Sequence, residues 1–256
     1  GIRRQRQMCI RDRNMYYFDS QEKGQGGRTT GTVYHLCQDN VDLAVKLYLN
    51  LDEVEDYPDL ETITYFGVIS SQVLPVVVSH SPVFDQEGAY IGCSAPFLYE
   101  SKGNTSDLLC NLPKKEVFSY LHSLNQTIDI FTDLHIQLCD WAIYNLRFGE
   151  NVSYQLPFSL YMIDDSFYEQ CDDQTTKDLY LINRMEMNHL IASIADEFLS
   201  AREDILPKVE REYVKRYEHV SDSLRLLEKD CEPYATLGEF FSSVHQKGIQ
   251  KQKRMS

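Results

Sequence analysis

The most informative stretch of this sequence is Asp140-Trp141-Ala142-Ile143-Tyr144-Asn145. It puts an aspartate and an asparagine five residues apart, after a long amphipathic pattern and before the strand-like run Leu146-Arg147-Phe148. A second apolar run, residues 160–163, ends in the paired carboxylates Asp164 and Asp165. Carboxylate and amide oxygens are the ligands that Mg²⁺ prefers. Each stretch alone is also typical of a solvated loop or an acidic turn, but together they indicate a magnesium site.

Two further features lie upstream. A Gly-rich segment with Arg28 at its middle precedes the strand-like run Thr32–Leu36, and glycine lets a backbone approach phosphates closely. Within the next strand-like run, Ala44-Val45-Lys46 puts a lysine among apolar residues, where a buried charge needs a partner. A flexible hairpin and an edge-strand lysine that reaches water are the alternatives for each feature alone.

The first third of the chain predicts a small, mostly antiparallel sheet with one helix. The helix is predicted from about Pro58 to Ile69, because proline and acids favour a first turn. A turn is predicted at residues 85–88. The five predicted strands are Tyr16–Phe18, Thr32–Leu36, Leu43–Tyr48, Leu74–Val78 and Ala89–Leu98.

The rest of the chain predicts mainly helices, so the expected class is α+β. A capping box, Thr236–Glu239, predicts the start of a helix near the end. Two apolar stripes at helical spacing are Val117, Leu121, Leu124, Ile128 and Phe131, then Ile182, Met185, Leu190, Ile194 and Phe198.

In this order the motifs resemble the protein-kinase superfamily over residues 16–247. The resemblance implies a bilobal fold with a five-stranded antiparallel N-lobe carrying one helix (16–98) and a mainly helical C-lobe (99–247). Basic termini, residues 1–15 and 248–256, flank the two lobes. It also implies ATP and Mg²⁺ as cofactors.

The resemblance assigns a nucleotide-binding role to residues of the Gly-rich segment, the lysine strand, the first helix and the hinge. Lys46 would hold the α- and β-phosphates, with Glu61 as its partner and Glu55 as the alternative. Ala95 would be a small gatekeeper. The full set is Gly24, Gly26, Gly27, Arg28, Gly31, Val33, Ala44, Lys46, Glu61, Ala95 and Phe97.

The resemblance also assigns the chemistry. Asp140 would orient the acceptor hydroxyl and accept its proton, acting with Lys46. Asn145 and Asp164 would bind Mg²⁺, with Asp165 as the alternative for Asp164. Asp178 would start the central helix and brace the catalytic loop.

Several positions depart from the family pattern. Arg28 replaces the middle glycine of the Gly-rich loop, Leu138-Cys139 replaces His-Arg, and Ala142 replaces a lysine. Residues 165–177 leave little room for an activation segment, so we expect no activation by phosphorylation there. The chain resembles the compact kinases with a trimmed activation segment that occur among bacterial effectors acting inside host cells.

The function expected from this pattern is an ATP-dependent kinase with a protein hydroxyl as acceptor. A pseudokinase scaffold or allosteric activator is one alternative. A small-molecule kinase of the aminoglycoside or choline type is another. An activity screen and a nucleotide-binding test separate the three.

Net charge and cysteine content limit the classes of partner and the cellular compartment that we expect. The net charge of −14 disfavours nucleic acid as a partner. The basic ends could meet an anionic lipid, an inositol phosphate or an acidic protein, although solvated termini are the simpler interpretation. Seven dispersed cysteines predict neither a disulfide framework nor a zinc site, and a cytoplasmic location, including a host cytosol, is expected. No apolar run predicts a secretory signal or a transmembrane segment.

Overall fold

The computed structural model describes residues 6–10, 15–18, 31–38, 41–48, 58–85, 87–100, 103–163, 168–171, 174–200 and 207–253. Some predicted site residues lie outside this set, and their roles stay predictions. They are Gly24, Gly26, Gly27, Arg28 and Asp164, together with the alternatives Glu55 and Asp165.

The described residues form a mixed α/β structure with an antiparallel sheet and seven α-helices. The strands are β1 (Arg6–Ile10), β2 (Met15–Phe18), β3 (Gly31–Gln38), β4 (Val41–Tyr48), β5 (Ser81–Phe84), β6 (Tyr90–Pro96), β7 (Ile136–Gln137), β8 (Leu146–Asn151), β9 (Leu156–Met162) and β10 (Glu169–Gln170). The helices are α1 (Leu60–Ile69), α2 (Thr105–Asn111), α3 (Lys114–Asp133), α4 (Thr176–Ser200), α5 (Pro207–Glu218), α6 (Ser223–Asp230) and α7 (Leu237–Lys253).

The main sheet has six strands in the order β2-β1-β5-β6-β4-β3, where the sequence predicts five. Four predicted strands correspond to β2, β3, β4 and β6, whereas β1 and β5 carry no prediction. The predicted strand Leu74–Val78 is wrong, since it makes only an isolated bridge from Val76 to Met162. Val76, Val77 and Val78 are buried, whereas Leu74 is exposed, and Pro75 has no N–H for a strand ladder. The apolar run thus predicted the burial of its three valines but not the backbone conformation.

The Gly-rich segment lies between strands that are not neighbours. β2 precedes it and β3 follows it, and these two strands occupy opposite edges of the sheet. β3 pairs instead with β4, in register from Gly31 opposite Tyr48 to Gln38 opposite Val41. β2 and β3 are therefore not the two strands of one hairpin.

Side chains of β4 alternate between the two faces of the sheet. One face forms a small apolar cluster made of Leu36, Leu43, Val45, Leu47 and Val83. The opposite face carries Tyr48, which lies in the main core with Ile63 and Phe66 of α1. Because successive strand residues point to opposite faces, Ala44 and Lys46 share the face of Tyr48. We call this the α1-side face.

Helix ends follow the capping signals of the sequence. The side chain of Asp59 accepts a hydrogen bond from the N–H of Thr62 at 2.7 Å, so α1 begins at Leu60 rather than at Pro58. At α7, the N–H of Glu239 donates to the hydroxyl of Thr236 at 3.1 Å, and this confirms the predicted capping box.

Two long helices form the centre of the helical region. All five predicted stripe residues of α3 are buried, which confirms that pattern. On α4, Leu190 and Ile194 are buried, but Met185 is 53% exposed, so its predicted core position is wrong. The buried side of α4 includes the polar residues Asn183 and Asn188, which an apolar stripe does not reveal. Among the described residues, no helix has the length and apolar character needed to cross a membrane.

A hairpin of β8 and β9 connects the two halves of the structure. The N–H of Val77, in the segment after α1, donates to the carbonyl of Met162 at 2.8 Å, and the N–H of Met162 donates to the carbonyl of Pro75 at 3.1 Å. On the other side, the backbones of Tyr99 and Glu150 exchange two hydrogen bonds. The hairpin is thus held against both the segment after α1 and the segment after β6.

Candidate active site

The loop between β7 and β8 carries Asp140 and Asn145. The Nδ2 of Asn145 donates to Asp140 Oδ2 at 3.1 Å and to the Asp140 carbonyl at 3.0 Å. The hydroxyl of Tyr144 donates to the other carboxylate oxygen, Asp140 Oδ1. Asp140 has a φ of 57°, a left-handed conformation that aspartate tolerates better than most residues. The structure therefore brings these two predicted residues into direct contact.

Helix α4 braces this loop with three polar side chains. Asn183, which is 0% exposed, accepts a hydrogen bond from the N–H of Leu138 at 2.8 Å. The carboxylate of Glu186 accepts from the N–H of Trp141 at 3.1 Å, and the hydroxyl of Ser193 accepts from the N–H of Ile143 at 3.0 Å. Backbone donors of the loop are thus satisfied by one helix, which fixes the loop without any regular ladder.

The predicted brace, Asp178, is wrong. Its side chain is exposed in the first turn of α4 and accepts a hydrogen bond from the hydroxyl of Thr175 at 2.6 Å. The N–H of Asp178 donates back to that hydroxyl at 3.2 Å, so the pair caps the helix. The loop is instead braced by Asn183 and Glu186, which lie five and eight positions further along the helix and face the loop.

Trp141 anchors the loop in the core. Its side chain is buried, and its indole N–H donates to the hydroxyl of Tyr168 at 2.8 Å. The ring of Tyr168 makes edge contacts with Phe66 of α1 and Phe131 of α3. One aromatic cluster therefore joins the loop to the helix beside the sheet and to the long helix that precedes it.

Asn145 also contacts the strand that leads to the predicted metal ligand. The N–H of Ile163 donates to the Asn145 carbonyl at 2.8 Å, and Ile163 is the residue before Asp164. Asn145 is 7% exposed, and its Oδ1 accepts no hydrogen bond from the part of the chain that the structure describes. This oxygen is therefore available to a cation or a water.

The predicted nucleotide residues of the sheet share the α1-side face. Val33 lies opposite Lys46 on neighbouring strands, and Ala95 lies opposite Ala44. Residues directly opposite each other in an antiparallel pair have side chains on the same face. Val33, Ala44, Lys46 and Ala95 thus form one surface. Glu61 is exposed in the first turn of α1, and its pairing with Lys46 stays a prediction.

This surface meets the hairpin that carries Ile163. Ala95 and Ile163 pack against the same apolar cluster, which includes Val77 and Tyr161. The N–H of Ile163 in turn donates a hydrogen bond to the Asn145 carbonyl, as described above. The contacts therefore run without a break from the sheet face beside Lys46 to the loop of Asp140.

The segment after β6 carries Phe97, a predicted nucleotide contact, whose backbone is bonded within the chain. The N–H of Phe97 donates to the Asp42 carbonyl at 3.1 Å, and the Phe97 carbonyl accepts from Asn151 Nδ2 at 2.6 Å. Both backbone groups of Phe97 are thus engaged within the chain, and its contact with a nucleotide stays a prediction. Leu98, the next residue, makes no backbone hydrogen bond with any described residue. Its side chain packs in the cluster of Ala95.

Polar side chains surround this segment. The hydroxyl of Tyr99 donates to Asp42 Oδ1 at 2.6 Å, and His35 Nε2 lies 3.2 Å from the same oxygen. The hydrogen bond from Tyr99 holds the pKa of Asp42 below its usual value, and burial with that bond raises the pKa of Tyr99 to about 12. The ring of His35 stacks on Phe97 at 3.9 Å between centroids. The segment is therefore clamped to His35 of β3 and Asp42 of β4.

Metal coordination rests on residues that lie partly outside the described set. No group of three or more His, Cys, Asp or Glu among the described residues could hold a metal ion. Asn145, with its accessible amide oxygen, is the described part of the predicted magnesium site, and the role of Asp164 stays a prediction.

Sequence reasoning missed the residues that support the site. Asn183, Glu186 and Ser193 on α4 and Asn151 on β8 carry no motif, because each acts through its backbone partners rather than through chemistry. A weak signal exists for Asn183: it lies four residues before Met187 and seven before Leu190, within the buried face of α4.

Comparison with known proteins shows a similarity of fold. No family model matches this chain, and no curated protein matches it. A solved structure, the autoinhibited serine kinase domain of the giant muscle protein titin, is similar with a TM-score of 0.48 and 11% identity over 83% of this chain. The similar region spans 66% of that titin chain. At this level the similarity concerns overall fold alone, so the functional argument rests on the contacts described above.

Proposed function

We propose that this protein is an ATP-dependent phosphotransferase whose acceptor is a hydroxyl group of a protein. One observation carries the proposal. Asp140 and Asn145 are hydrogen-bonded to each other in a loop braced by α4, and Asn145 is bonded to the residue before Asp164. A carboxylate for the acceptor hydroxyl and an amide oxygen for Mg²⁺ thus lie side by side, as phosphoryl transfer requires.

In the proposed reaction, Asp140 orients the acceptor hydroxyl and takes its proton late in the transfer. Asn145 Oδ1 and Asp164 would hold Mg²⁺, which would neutralise charge on the phosphates. Lys46 holds the α- and β-phosphates, with Glu61 as its proposed partner. Such a site works by position and charge, so the rigidity that α4 gives the loop is directly useful.

The nucleotide would lie on the α1-side face. Val33, Ala44 and Ala95 offer an apolar surface for the adenine, and Leu98 has backbone groups that no described residue engages. The Gly-rich segment with Gly24, Gly26, Gly27 and Arg28 would cover the phosphates, and Gly31 begins the strand that follows it.

The wider setting is also proposed. A regulatory protein or a protein substrate is the expected partner, and the basic termini would meet an anionic lipid or inositol phosphate. A cytoplasmic location, including the cytosol of a host cell, fits a kinase that lacks a long activation segment.

Nucleotide binding and turnover test the proposal separately. MgATP at 100 times its Kd should raise the free energy of unfolding by about 2.7 kcal/mol. With γ-labelled ATP, Asp140→Ala should lower turnover by about 10²–10⁴, the usual contribution of a positioned acid–base group. Asp133→Ala, which removes an exposed carboxylate at the end of α3, is the matched control and should leave turnover unchanged.

The outcomes separate the alternatives. Label on proteins supports a protein kinase, whereas label on aminoglycosides or choline alone indicates a small-molecule kinase. A stability gain with MgATP but no transfer indicates a nucleotide-binding scaffold. An unchanged rate in Asp140→Ala would remove Asp140 from the mechanism.

A further inference from the structure

Tyr144 makes with Asp140 the hydrogen bond that the proposed mechanism requires of an acceptor hydroxyl. Its hydroxyl donates to Asp140 Oδ1, while Asn145 Nδ2 donates to Asp140 Oδ2. The phenol and the amide therefore share the two oxygens of one carboxylate. Among the described tyrosines that are exposed, Tyr99 bonds to Asp42, and Tyr180 lies on α4 outside this loop.

We propose that Tyr144 is an acceptor of the phosphoryl group within its own chain. The inference rests on the proposed phosphotransferase activity and names the first acceptor of that site. A base orients an acceptor by accepting a hydrogen bond from its hydroxyl, and the Tyr144 hydroxyl already makes that bond with Asp140.

The neighbouring metal ligand supports this assignment. Asn145 follows Tyr144 directly in the chain, and its Oδ1 is available to a cation. Asn145 would hold Mg²⁺ through that oxygen, and the ion would bind the phosphates at the loop that carries Tyr144. The backbone of Tyr144 is fixed, because Arg147 donates to its carbonyl at 2.9 Å. Only the side chain has to adjust for attack.

The step balances with ATP as the only co-reactant. The Tyr144 oxygen forms a bond to the γ-phosphorus of ATP, and the bond from that phosphorus to the oxygen bridging the β- and γ-phosphates breaks. ADP leaves with the electron pair. The phenolic proton passes to the Asp140 carboxylate and then to water.

The product differs in charge from the starting side chain. A phosphotyrosine carries close to two negative charges at neutral pH, and it would lie beside the negative carboxylate of Asp140. Repulsion turns the ring toward solvent, which the 60% exposure of Tyr144 permits. Asp140 Oδ1 is then open to the hydroxyl of another protein.

Peptide mapping by mass spectrometry after incubation of the full chain with MgATP tests this inference. The wild type should gain phosphate on the peptide that contains Tyr144. Tyr144→Phe keeps the ring, removes only the hydroxyl and should lose that phosphate. Tyr180→Phe removes another exposed tyrosine hydroxyl and should keep it. The rate per molecule should not depend on protein concentration.

Three results would overturn the inference. Phosphate on other residues or on added proteins, with none on Tyr144, leaves the kinase proposal standing and makes the Tyr144 bond purely structural. Label on Tyr144 of an Asp140→Ala chain mixed with wild type shows transfer between chains rather than within one. No transfer to any acceptor overturns both proposals together.

Discussion

Two buried asparagines hold the two sides of the candidate site, and they do so differently. Asn183 and Asn151 are both 0% exposed. Asn183 joins elements of the helical region only, since its partners are Leu138, Ile136 and Thr132. Asn151 joins separate regions: it donates to the carbonyls of Asp42 and Phe97, and it accepts from Ser153 and from the N–H of Tyr154.

The surroundings of the two residues determine how much their hydrogen bonds contribute to the stability of the fold. The partners of Asn183 are buried, so water cannot replace a lost hydrogen bond. The partners of Asn151 are half-buried or, for Ser153, exposed, and the Asp42 carbonyl keeps a second donor in Phe97. The loop of Asp140 is therefore held rigidly, whereas the segment around Phe97 is held by a network that solvent and pH can reach.

The largest effect is expected from Asn183→Leu. It leaves the Leu138 N–H and the Ile136 carbonyl unsatisfied in the core, and each such group costs about 1–3 kcal/mol. We expect a loss of about 3–5 kcal/mol in the free energy of unfolding, measured by urea denaturation.

Asn111→Leu is the control for Asn183→Leu. Asn111 is exposed and makes one side-chain bond, to the carbonyl of Asp107 at 2.9 Å, so its loss should stay within about 0.5 kcal/mol. Equal losses of unfolding free energy in the two variants would contradict the large contribution that we assign to Asn183.

Asn151→Leu should have an intermediate effect. Its partners can recover part of their bonding from water, so we expect a loss of about 1–3 kcal/mol. Because the change displaces Phe97 and Leu98, MgATP should also bind more weakly, as measured by calorimetry. Full retention of affinity would show that this segment does not contact the nucleotide.

Gly149→Ala probes the same segment from the hairpin. A Cβ at Gly149 would lie 2.9 Å from the Cβ of Leu98 and 3.1 Å from the carbonyl of Tyr99. We expect a loss of about 1–2 kcal/mol from overpacking, with weaker MgATP binding. A stable variant with unchanged affinity would show that the segment shifts without consequence.

The smallest effect is expected from Asp42→Asn, and it should depend on pH. The pKa of Asp42 is lowered in the folded state, chiefly by the hydrogen bond from Tyr99. The ionised carboxylate therefore stabilises the fold above its usual pKa of 3.8, and this contribution is lost as the pH falls through the folded value. The difference in unfolding free energy from the wild type, below about 1 kcal/mol at pH 7, should vanish in acid. A difference that stays constant into acid would contradict this account.

Particular residues show how far sequence patterns reach. The α3 stripe and the four strands that correspond to β2, β3, β4 and β6 were predictable, because periodic burial leaves a local pattern. The strand predicted at Leu74–Val78 failed, since burial against a hairpin and burial in a sheet produce the same apolar run. The predicted burial of Met185 was wrong, because several elements pack around α4 and the buried face of this helix is partly polar.

The candidate site divides in the same way. Asp140 and Asn145 were found from their spacing, and they contact each other because only a short loop separates them. Phe97 is predicted as a nucleotide contact from its place in the motif, but the bonds of its backbone groups to Asp42 and Asn151 carry no sequence signal. No local pattern records those partners, which are 55 and 54 positions away along the chain.

Four strands of the main sheet, the amphipathic face of α3 and the short-range pairing of Asp140 with Asn145 could be predicted from local sequence patterns. The bracing of the loop by Asn183 rather than Asp178, and the clamping of the segment after β6 by Asn151, follow from tertiary packing alone. The difference lies in the range of the interactions. Periodicity and capping act within a few residues, whereas a buried hydrogen bond depends on which distant backbone groups packing brings within reach.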